Sequence, residues 1–420
     1  MRISTQEFLL GSLNDMLTQQ SNANRLNREI ASGQTLLDAG DDPAGAGQVL
    51  ALSNGISQLT VDTANAQAAQ QTAQTGISAL QQVSTIISQL QQIASQAGNA
   101  ATTPDQRSAL AGEAQSALQQ LVQLGNTQGA GGAYIFAGSQ TGNPAFQQQT
   151  DGTVTFAGDD AATQVQIAPS LSVSATLSGR DVFLNIPAGT GGVTVAVDTA
   201  NAGDAYAVAQ GVASISQVAA EGRAGTEFAV SFADASNGTL TYTVTSGSGD
   251  PASTGFAATS GVVASGPFTA GSDLQFGGID LRVVGTPSAG DGFVVQTGQH
   301  ASLFQTAQDL VNALGAAPNS AAPSSQAEQQ VENVLANLGG AQSRILSAQA
   351  TLGATLSEVQ GVQQQNSTQS TNAQAQASNL QSANLPQVIA SYSESVTALQ
   401  AAQLAFARIQ NLSLFAVLGP

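Results

Sequence analysis

The 420-residue chain has no lysine, no cysteine and no tryptophan, and it has a single histidine. Because all nine basic residues are arginines, a phosphate-loop lysine and a lysine Schiff base are both excluded. Without cysteine, no thiol nucleophile, thiolate metal site or disulfide can form. His300 alone supplies little material for a zinc site or a Ser-His-Asp triad. The sequence therefore predicts a protein that is not an enzyme and that holds neither a cofactor nor a metal.

Charge is also scarce, at 9% of the residues, against about 25% in typical proteins. The net charge is −18, and since affinity for nucleic acid comes from clustered Lys and Arg, nucleic-acid binding is not expected. A transmembrane helix needs an apolar run of roughly 18 residues, which the chain lacks, so membrane insertion is not expected either. The first residues lack the charged-then-apolar layout of a cleavable secretory signal. That predicts a chain that either stays in the cytoplasm or leaves it by a route that cleaves nothing.

Hydropathy periodicity divides the chain into three parts. Residues 1–133 and 301–418 keep the 3/4 spacing of amphipathic helices, whereas residues 134–300 contain short alternating runs between turn residues, which is typical of antiparallel strands. The middle part concentrates acid, with 3 Arg and 13 Asp or Glu for a net charge of 3 − 13 = −10. We therefore expect an α+β multidomain fold, in which a helical rod and coiled coil built from both chain termini carry an inserted antiparallel all-β domain.

The predicted boundaries follow from these changes of period. A terminal coiled-coil domain comprises residues 1–40 plus 375–420. A helical rod domain comprises residues 41–133 plus 301–374. The inserted acidic β domain comprises residues 134–300.

Local signals predict where the helices begin and end. Gly33 follows the first apolar stripe and is a predicted C-terminal stop, because glycine tolerates the left-handed conformation. Asp42 followed by Pro43 predicts the start of a second helix, from about residue 44 to 96. Thr103 with Gln106 three residues later predicts a capping box at the start of a third.

The two chain ends carry matching apolar stripes. In the last helix, positions 385, 389, 392, 396, 399, 403 and 406 step by alternating fours and threes, which is a heptad seam of about three repeats. Such narrow stripes predict one coiled coil between the chain's own ends. The predicted coiled-coil and assembly residues are Leu9, Leu13, Met16, Leu26 and Ile30 against Leu385, Ile389, Tyr392, Val396, Leu399 and Phe406, with Ile409, Leu412 and Phe415 crowding the last turns.

These terminal helices need partners beyond each other. Helices of this composition are marginal alone in water, since tertiary packing supplies most helical stability. Other copies of the chain or related chains are the natural partners. Faces pressed against neighbours favour Gln, Ser and Ala over charges that must be desolvated, although a genome-wide Ala/Gly bias explains the same composition.

Several runs of residues carry a family resemblance. Residues 30–34 followed by residues 41–46, which contain Asp41, Asp42 and Pro43, resemble the loop between the first two helices of the flagellin superfamily of bacterial axial proteins. Residues 1–6 resemble the start of its hook-associated branch. Five further runs resemble other segments of that branch, namely residues 132–139, 156–159, 179–183, 285–295 and 399–415. The middle part of this chain is longer than in the compact members of the branch.

The resemblance implies a structural adaptor that joins the flagellar hook to the filament by subunit packing. It implies export, unfolded and without a cleaved signal, through the flagellar type III apparatus to an extracellular position on the bacterial flagellum. The implied partners are other copies in a ring, a sister hook-associated protein, flagellin, and an export chaperone that covers the C-terminal helix. Two alternatives remain: a minor flagellin that forms filament, and an adhesin or cell-wall enzyme carried on a flagellin-like scaffold.

Overall fold

A computed structural model of the chain describes residues 2–98, 102–150, 152–198, 201–235, 238–248, 257–315 and 324–418. The chain divides into two compact units, which we call the terminal unit (Met1–Ala64 with Gln363–Pro420) and the central unit (Asn65–Val362). The terminal unit is built from both ends of the chain, as the predicted fold class requires. The finer three-part division stays a prediction.

The helices account for both chain ends and for much of the central unit. Seven α-helices lie in the described residues: α1 (Arg2–Ser32), α2 (Pro43–Ala97), α3 (Pro104–Gly125), α4 (Ile215–Ala224), α5 (Leu303–Gly315), α6 (Ser324–Gln381) and α7 (Leu385–Leu418). No helix among these residues is both long enough and apolar enough to cross a membrane.

The middle of the chain forms antiparallel strands, as the alternating runs predicted. The described strands are β1 (Phe146–Gln148), β2 (Val154–Phe156), β3 (Gln164–Ala168), β4 (Leu171–Ser174), β5 (Ile186–Pro187), β6 (Val193–Val197), β7 (Tyr206–Val212), β8 (Glu227–Asp234), β9 (Leu240–Ser248), β10 (Ala257–Pro267), β11 (Asp273–Phe276), β12 (Ile279–Val284), β13 (Gly292–Thr297) and β14 (His300–Ala301). One sheet has the order β10-β9-β8-β13-β6, and a second has the order β11-β12-β7. The remaining strands pair as β1-β2, β3-β4 and β5-β14.

The predicted helix ends are confirmed by their capping geometry. Helix α1 ends at Ser32, and Gly33 takes a φ of +71° while its N–H donates to the Glu29 carbonyl at 2.8 Å. Helix α3 begins with the predicted capping box, in which Thr103 accepts from the Gln106 N–H and the Gln106 side chain accepts from the Thr103 N–H. The alternating pattern gave no indication of α4, which lies between a Ser214 cap and a left-handed Gly225.

The described residues of the central unit form three apolar clusters that stabilise it. The largest joins α2, α3, α5 and α6 to the segment that precedes the strands. A second fills the space between the two larger sheets, where Phe228, Phe232 and Phe293 are almost fully buried. A third packs Ala66 and Ala69 of α2 against β3, β4 and the Val359–Val362 stretch of α6. Each cluster depends on contacts between residues far apart in sequence.

A row of side-chain amides fixes the two larger sheets to α6. Gln329, Asn333 and Asn337 repeat every four residues and so share one helix face. The Gln329 amide accepts from the N–H of Ala207 and donates to its carbonyl, both at 2.8 Å, as a neighbouring strand would. Asn333 donates to the Val195 carbonyl at 2.8 Å, and Asn337 accepts from the Gly189 N–H at 2.5 Å. We call these three side chains the amide row.

Glu332 lies beside the amide row, and its burial raises the pKa of its carboxyl. Burial disfavours the charged form, so the native state loses stability as the pH rises from about 4.5, the ordinary value, through the higher native pKa. We expect Glu332→Gln to raise the Tm of the central unit by on the order of 1 °C at neutral pH. The gain should shrink as the pH falls through 4.5 and vanish well below it, where Glu332 is protonated in both states.

Thermal unfolding followed by circular dichroism between pH 4 and 8 measures this effect. The matched control is Glu358→Gln, an exposed glutamate on the same helix, which should leave Tm unchanged at every pH. A Tm gain for Glu332→Gln that persists undiminished at pH 4 would contradict the burial explanation.

Candidate assembly surface of the terminal helices

Helices α1 and α7 pack against each other within the terminal unit. On both helices, one set of buried and half-buried positions steps by alternating fours and threes, which is heptad packing. They are Ser12, Met16, Gln19, Ala23, Leu26 and Ile30 on α1, and Val388, Tyr392, Ser395, Leu399, Ala402 and Phe406 on α7. We call this contact the terminal seam.

The seam includes some of the positions that the apolar trace predicted and leaves out others. Met16, Leu26, Ile30, Tyr392, Leu399 and Phe406 lie in it, and Val396 is half-buried at its side. Three predicted seam residues, Leu13, Leu385 and Ile389, are instead 44%, 40% and 49% exposed. Small and polar side chains such as Ser12, Ser395 and Ala402 take the inner places, where they allow the two helices to approach closely.

The polar members of the seam are hydrogen-bonded within it. Ser395 lies against α1, and its hydroxyl is 3.2 Å from the Gln19 side-chain oxygen and 3.4 Å from the Gln19 carbonyl. Glu29, which is almost fully buried, forms an ion pair with Arg25 one turn earlier. The seam therefore combines apolar side chains with hydrogen-bonded polar groups, while several other large apolar side chains lie outside it.

Those larger side chains lie on the outer faces of the two helices. Leu10, Leu13 and Leu17 are 61%, 44% and 56% exposed and follow one face of α1. On α7, Leu385, Ile389 and Leu404 are exposed as well. We call the first three the outer leucines of α1. Apolar rows of this kind, left open by a single chain, mark interaction surfaces.

Some predicted residues fall outside what the structure describes. The side chains of Leu9, Ile409, Leu412 and Phe415 lie beyond its described part, although their backbones are in α1 and α7. Met1, which opens the first resembling run, also lies outside the described residues. The assembly role of the whole predicted set stays a prediction.

The two helix breaks of the terminal unit meet each other. Gln34 and Ser382 form an antiparallel bridge. The N–H of Thr35 donates to the Gln381 carbonyl at 2.7 Å, and the N–H of Ala383 donates to the Gly33 carbonyl at 2.9 Å. The break between α1 and α2 therefore lies beside the break between α6 and α7. The periodicity of the sequence gave no sign that the two breaks coincide.

The loop predicted from Asp41, Asp42 and Pro43 has a structural role in that turn. Asp42 accepts from the Ala44 N–H at 3.1 Å and so caps α2, which begins at Pro43. Asp41 accepts from the Asp38 N–H at 3.0 Å and closes the loop on itself. Asp42 therefore caps α2, as the sequence predicted, and Asp41 stabilises the turn before it.

Two resembling runs of the central unit meet at Asp159. The N–H and hydroxyl of Ser139 donate to the Asp159 carboxylate, and these bonds lower the pKa of that carboxyl. Gly138 has a φ of +70°, and a side chain there would collide with Asp159. The 156–159 run is thereby fixed to the 132–139 run, which ends in Gly138 and Ser139.

Residues 179–183 place an aromatic ring in the main core. Phe183 is fully buried, with its ring 5.2 Å from Phe136, 5.3 Å from Phe146 and 5.5 Å from Phe304. Arg180, three residues earlier, forms an ion pair with Asp160 at 3.0 Å. The run therefore contributes to the packing of the main core.

The last run of the middle segment, residues 285–295, closes a loop around a buried carboxylate. Asp291 is almost fully buried and accepts from the N–H groups of Ala202 at 2.8 Å and Ser288 at 2.7 Å. Asp204 accepts from both the N–H and the hydroxyl of Thr286 at 2.8 Å, and these bonds lower the pKa of Asp204. Among the described residues, no group of three or more His, Asp or Glu side chains is arranged to hold a metal ion.

Comparisons with known proteins agree with this reading of the runs. Residues 3–141 match the bacterial flagellin N-terminal helical region. The chain is 29% identical over 186 residues to flagellar hook-associated protein 3 of Salmonella typhimurium, a stretch covering 44% of this chain and 58% of that protein. It is 33% identical over 141 residues to B-type flagellin of Pseudomonas aeruginosa, covering 33% of this chain and 29% of that one.

A solved structure extends the likeness beyond the N-terminal region. The crystal structure of flagellar hook-associated protein 3 from Legionella pneumophila matches with a TM-score of 0.69 and 26% identity, over 79% of this chain and 98% of that chain. The predicted resemblance to the flagellin superfamily and its hook-associated branch is thus confirmed. Residues 3–141 match the bacterial flagellin N-terminal helical region, and the chain shares the fold of flagellar hook-associated protein 3.

Proposed function

We propose that the chain is a structural subunit of the bacterial flagellum that joins the hook to the filament, in the manner of hook-associated protein 3. The observation that carries the proposal is the terminal unit, whose seam is lined partly by small residues while the outer leucines of α1 face solvent. A unit built in this way gains most of its apolar burial from neighbouring chains. Its mechanism is packing, and no step requires a catalytic group.

The geometry that suits this role is a ring of head-to-tail contacts between copies. In such a heterologous contact, different surfaces of the chain meet, so rotation about an axis can close a ring or continue into a tube. The neighbours along the axis would be a sister hook-associated protein and flagellin. The likeness to a flagellin over 141 residues supports a shared mode of packing with the filament subunit.

Export in an unfolded state fits the same construction. The terminal helices share only a narrow seam, so keeping them unfolded sacrifices little apolar burial. A chaperone that covers the exposed Leu385, Ile389 and Leu404 face of α7 would prevent premature assembly. Extracellular localisation on the flagellum follows from this route.

The minor-flagellin alternative makes a different prediction about the purified chain. A filament subunit should polymerise into long tubes by itself, whereas an adaptor should stop at a ring. The adhesin or cell-wall enzyme alternative requires binding or hydrolysis by the strand-rich middle segment, residues 134–300.

Removing residues 385–420 from the chain in its own bacterium tests the proposal. We expect hooks to form, flagellin to appear in the medium and no filament to grow, because α7 supplies one half of the terminal seam. Electron microscopy of hooks and immunoblotting of secreted flagellin measure the two effects, with the intact chain restored on a plasmid as the control. Normal filaments on the truncated strain would overturn the proposal.

A further inference from the structure

The two larger sheets and α4 form a module with a core of its own, which we call the sandwich (residues 193–297). Every described side chain of the second apolar cluster, from Val193 to Val295, belongs to this module. The main cluster contains Ile186 before the module and Leu303 after it, and none of its described members lies between them. In the described part of the chain, the sandwich and the long helices therefore share no apolar cluster.

The chain enters and leaves the sandwich at one place. Strands β5 and β14 pair with each other, and next to them the N–H of Ala188 donates to the Gln299 carbonyl at 2.9 Å. Ile186 of β5 is buried in the main cluster, so this two-stranded stem belongs to the helical part of the unit. The sandwich is therefore attached to the helices through two chain crossings that lie side by side.

A glycine lies at each of these two crossings. Gly189 follows the stem on the way in, with a φ of +58°, and Gly298 precedes it on the way out, with a φ of +71°. Because glycine has no Cβ, its φ and ψ change more freely than those of other residues. Hinges between domains consist of a few such residues at the ends of elements. The two crossings can therefore absorb a rotation of the sandwich while both cores stay intact.

A cleft separates the sandwich from α6. Its α6 side is lined by Gln329, Glu332, Asn333 and Ala336, of which only Ala336 is apolar, and its other side is lined mainly by residues of β6 and β7. The amide row crosses this cleft with three hydrogen bonds to the backbone of the two strands. Opening the cleft would break these bonds but would expose little apolar surface. Contacts of this polar kind between domains permit relative motion.

We propose that the sandwich is a hinged module, which pivots at Gly189 and Gly298 and which the amide row holds closed against α6. Rotation of the sandwich would change which of its surfaces a neighbouring molecule meets, without repacking either core. This inference does not rest on the proposed role at the hook, because it concerns a motion within one chain.

Distances between two nitroxide spin labels on the full chain test the hinge, and the natural chain has no cysteine to interfere. Labels at Val262→Cys on β10 and Leu346→Cys on α6, both exposed positions, report the distance between sandwich and helix. We expect one narrow distribution while the amide row is intact. Adding Gln329→Ala, Asn333→Ala and Asn337→Ala together should shift the equilibrium toward the open form by on the order of a hundredfold. The triple variant should therefore show a second distance or a much broader distribution.

The matched control places both labels within the sandwich, at Ile215→Cys and Val262→Cys, where the triple variant should leave the distribution unchanged. An unchanged distance across the cleft in the triple variant would overturn the hinge. Broadening of the control pair would overturn it as well, since the amide row would then be needed to fold the sandwich and not to hold it closed. A distribution across the cleft that is already broad with the row intact would show that the row does not hold the closed form, which also contradicts the proposal.

Discussion

Replacing the outer leucines of α1 together, with Leu10→Gln, Leu13→Gln and Leu17→Gln, is expected to abolish filament attachment and leave the chain folded. These side chains are between 44% and 61% exposed in the single chain, so their removal sacrifices little intramolecular burial. Glutamine is a good helix former, which preserves α1. In an assembled ring, the same three leucines would be buried against neighbours, at roughly 1.5–3 kcal/mol for each fully buried side chain.

Motility in soft agar, together with the amount of flagellin lost to the medium, measures the loss. Circular dichroism of the purified variant should show a Tm close to that of the natural chain, since exposed substitutions usually change stability by less than about 0.5 kcal/mol. The control is Ile215→Gln, which removes an exposed isoleucine on α4 and should leave motility intact. Full motility of the triple variant would contradict an assembly role for this face.

Phe183→Ala is expected to destabilise the central unit by about 3–5 kcal/mol. The Phe183 ring is fully buried among three other aromatic rings, so its loss leaves a cavity that rigid neighbours cannot fill. Phe183→Leu should lower stability less, because it retains most of the apolar volume. Urea unfolding followed by circular dichroism measures both variants.

Phe183→Ala should also differ from the triple variant of the outer leucines in how motility depends on temperature. Its loss of motility should appear on warming and be absent in the cold, because the assembly surface itself is unchanged. A stability loss below about 1 kcal/mol for Phe183→Ala would mean that the aromatic cluster repacks around the vacancy.

The sequence was most informative where a structural signal is local. Thr103 with Gln106, and Asp42 with Pro43, give the helix starts because a cap depends on residues within one turn. The alternating runs around β9 and β12 give strands for the same reason. The strand order β10-β9-β8-β13-β6 was out of reach, since it is set by contacts between distant segments.

The terminal seam shows why an apolar trace alone gives only some of the contact positions. Leucines identify an amphipathic helix, but they do not say which of its stripes faces the intramolecular partner. In α7 the seam includes the small residues Ser395 and Ala402, while Leu385 and Ile389 remain outside it. A helix that packs against its own chain and also against neighbouring chains needs two stripes. Close approach of the paired helices favours small residues in the stripe that faces the helix of the same chain.

The sequence alone does not indicate the amide row. Gln329, Asn333 and Asn337 keep a four-residue spacing, but Gln and Asn are so common in these helices that the spacing carries little information by itself. Only the positions of the Ala207 and Val195 backbone groups reveal that the three amides act as a set.

The same row has a consequence for how the chain behaves while it folds among many copies. An open sheet edge is a template for strands of other molecules, but the Val195 carbonyl of β6 already accepts from Asn333, and both backbone groups of Ala207 on β7 are bonded to Gln329. These hydrogen-bond partners are neutral, so the bonds between the sheets and α6 should be equally strong at low and at high salt concentration. Helix α6 should therefore keep these edge groups from pairing with strands of other molecules at any salt concentration.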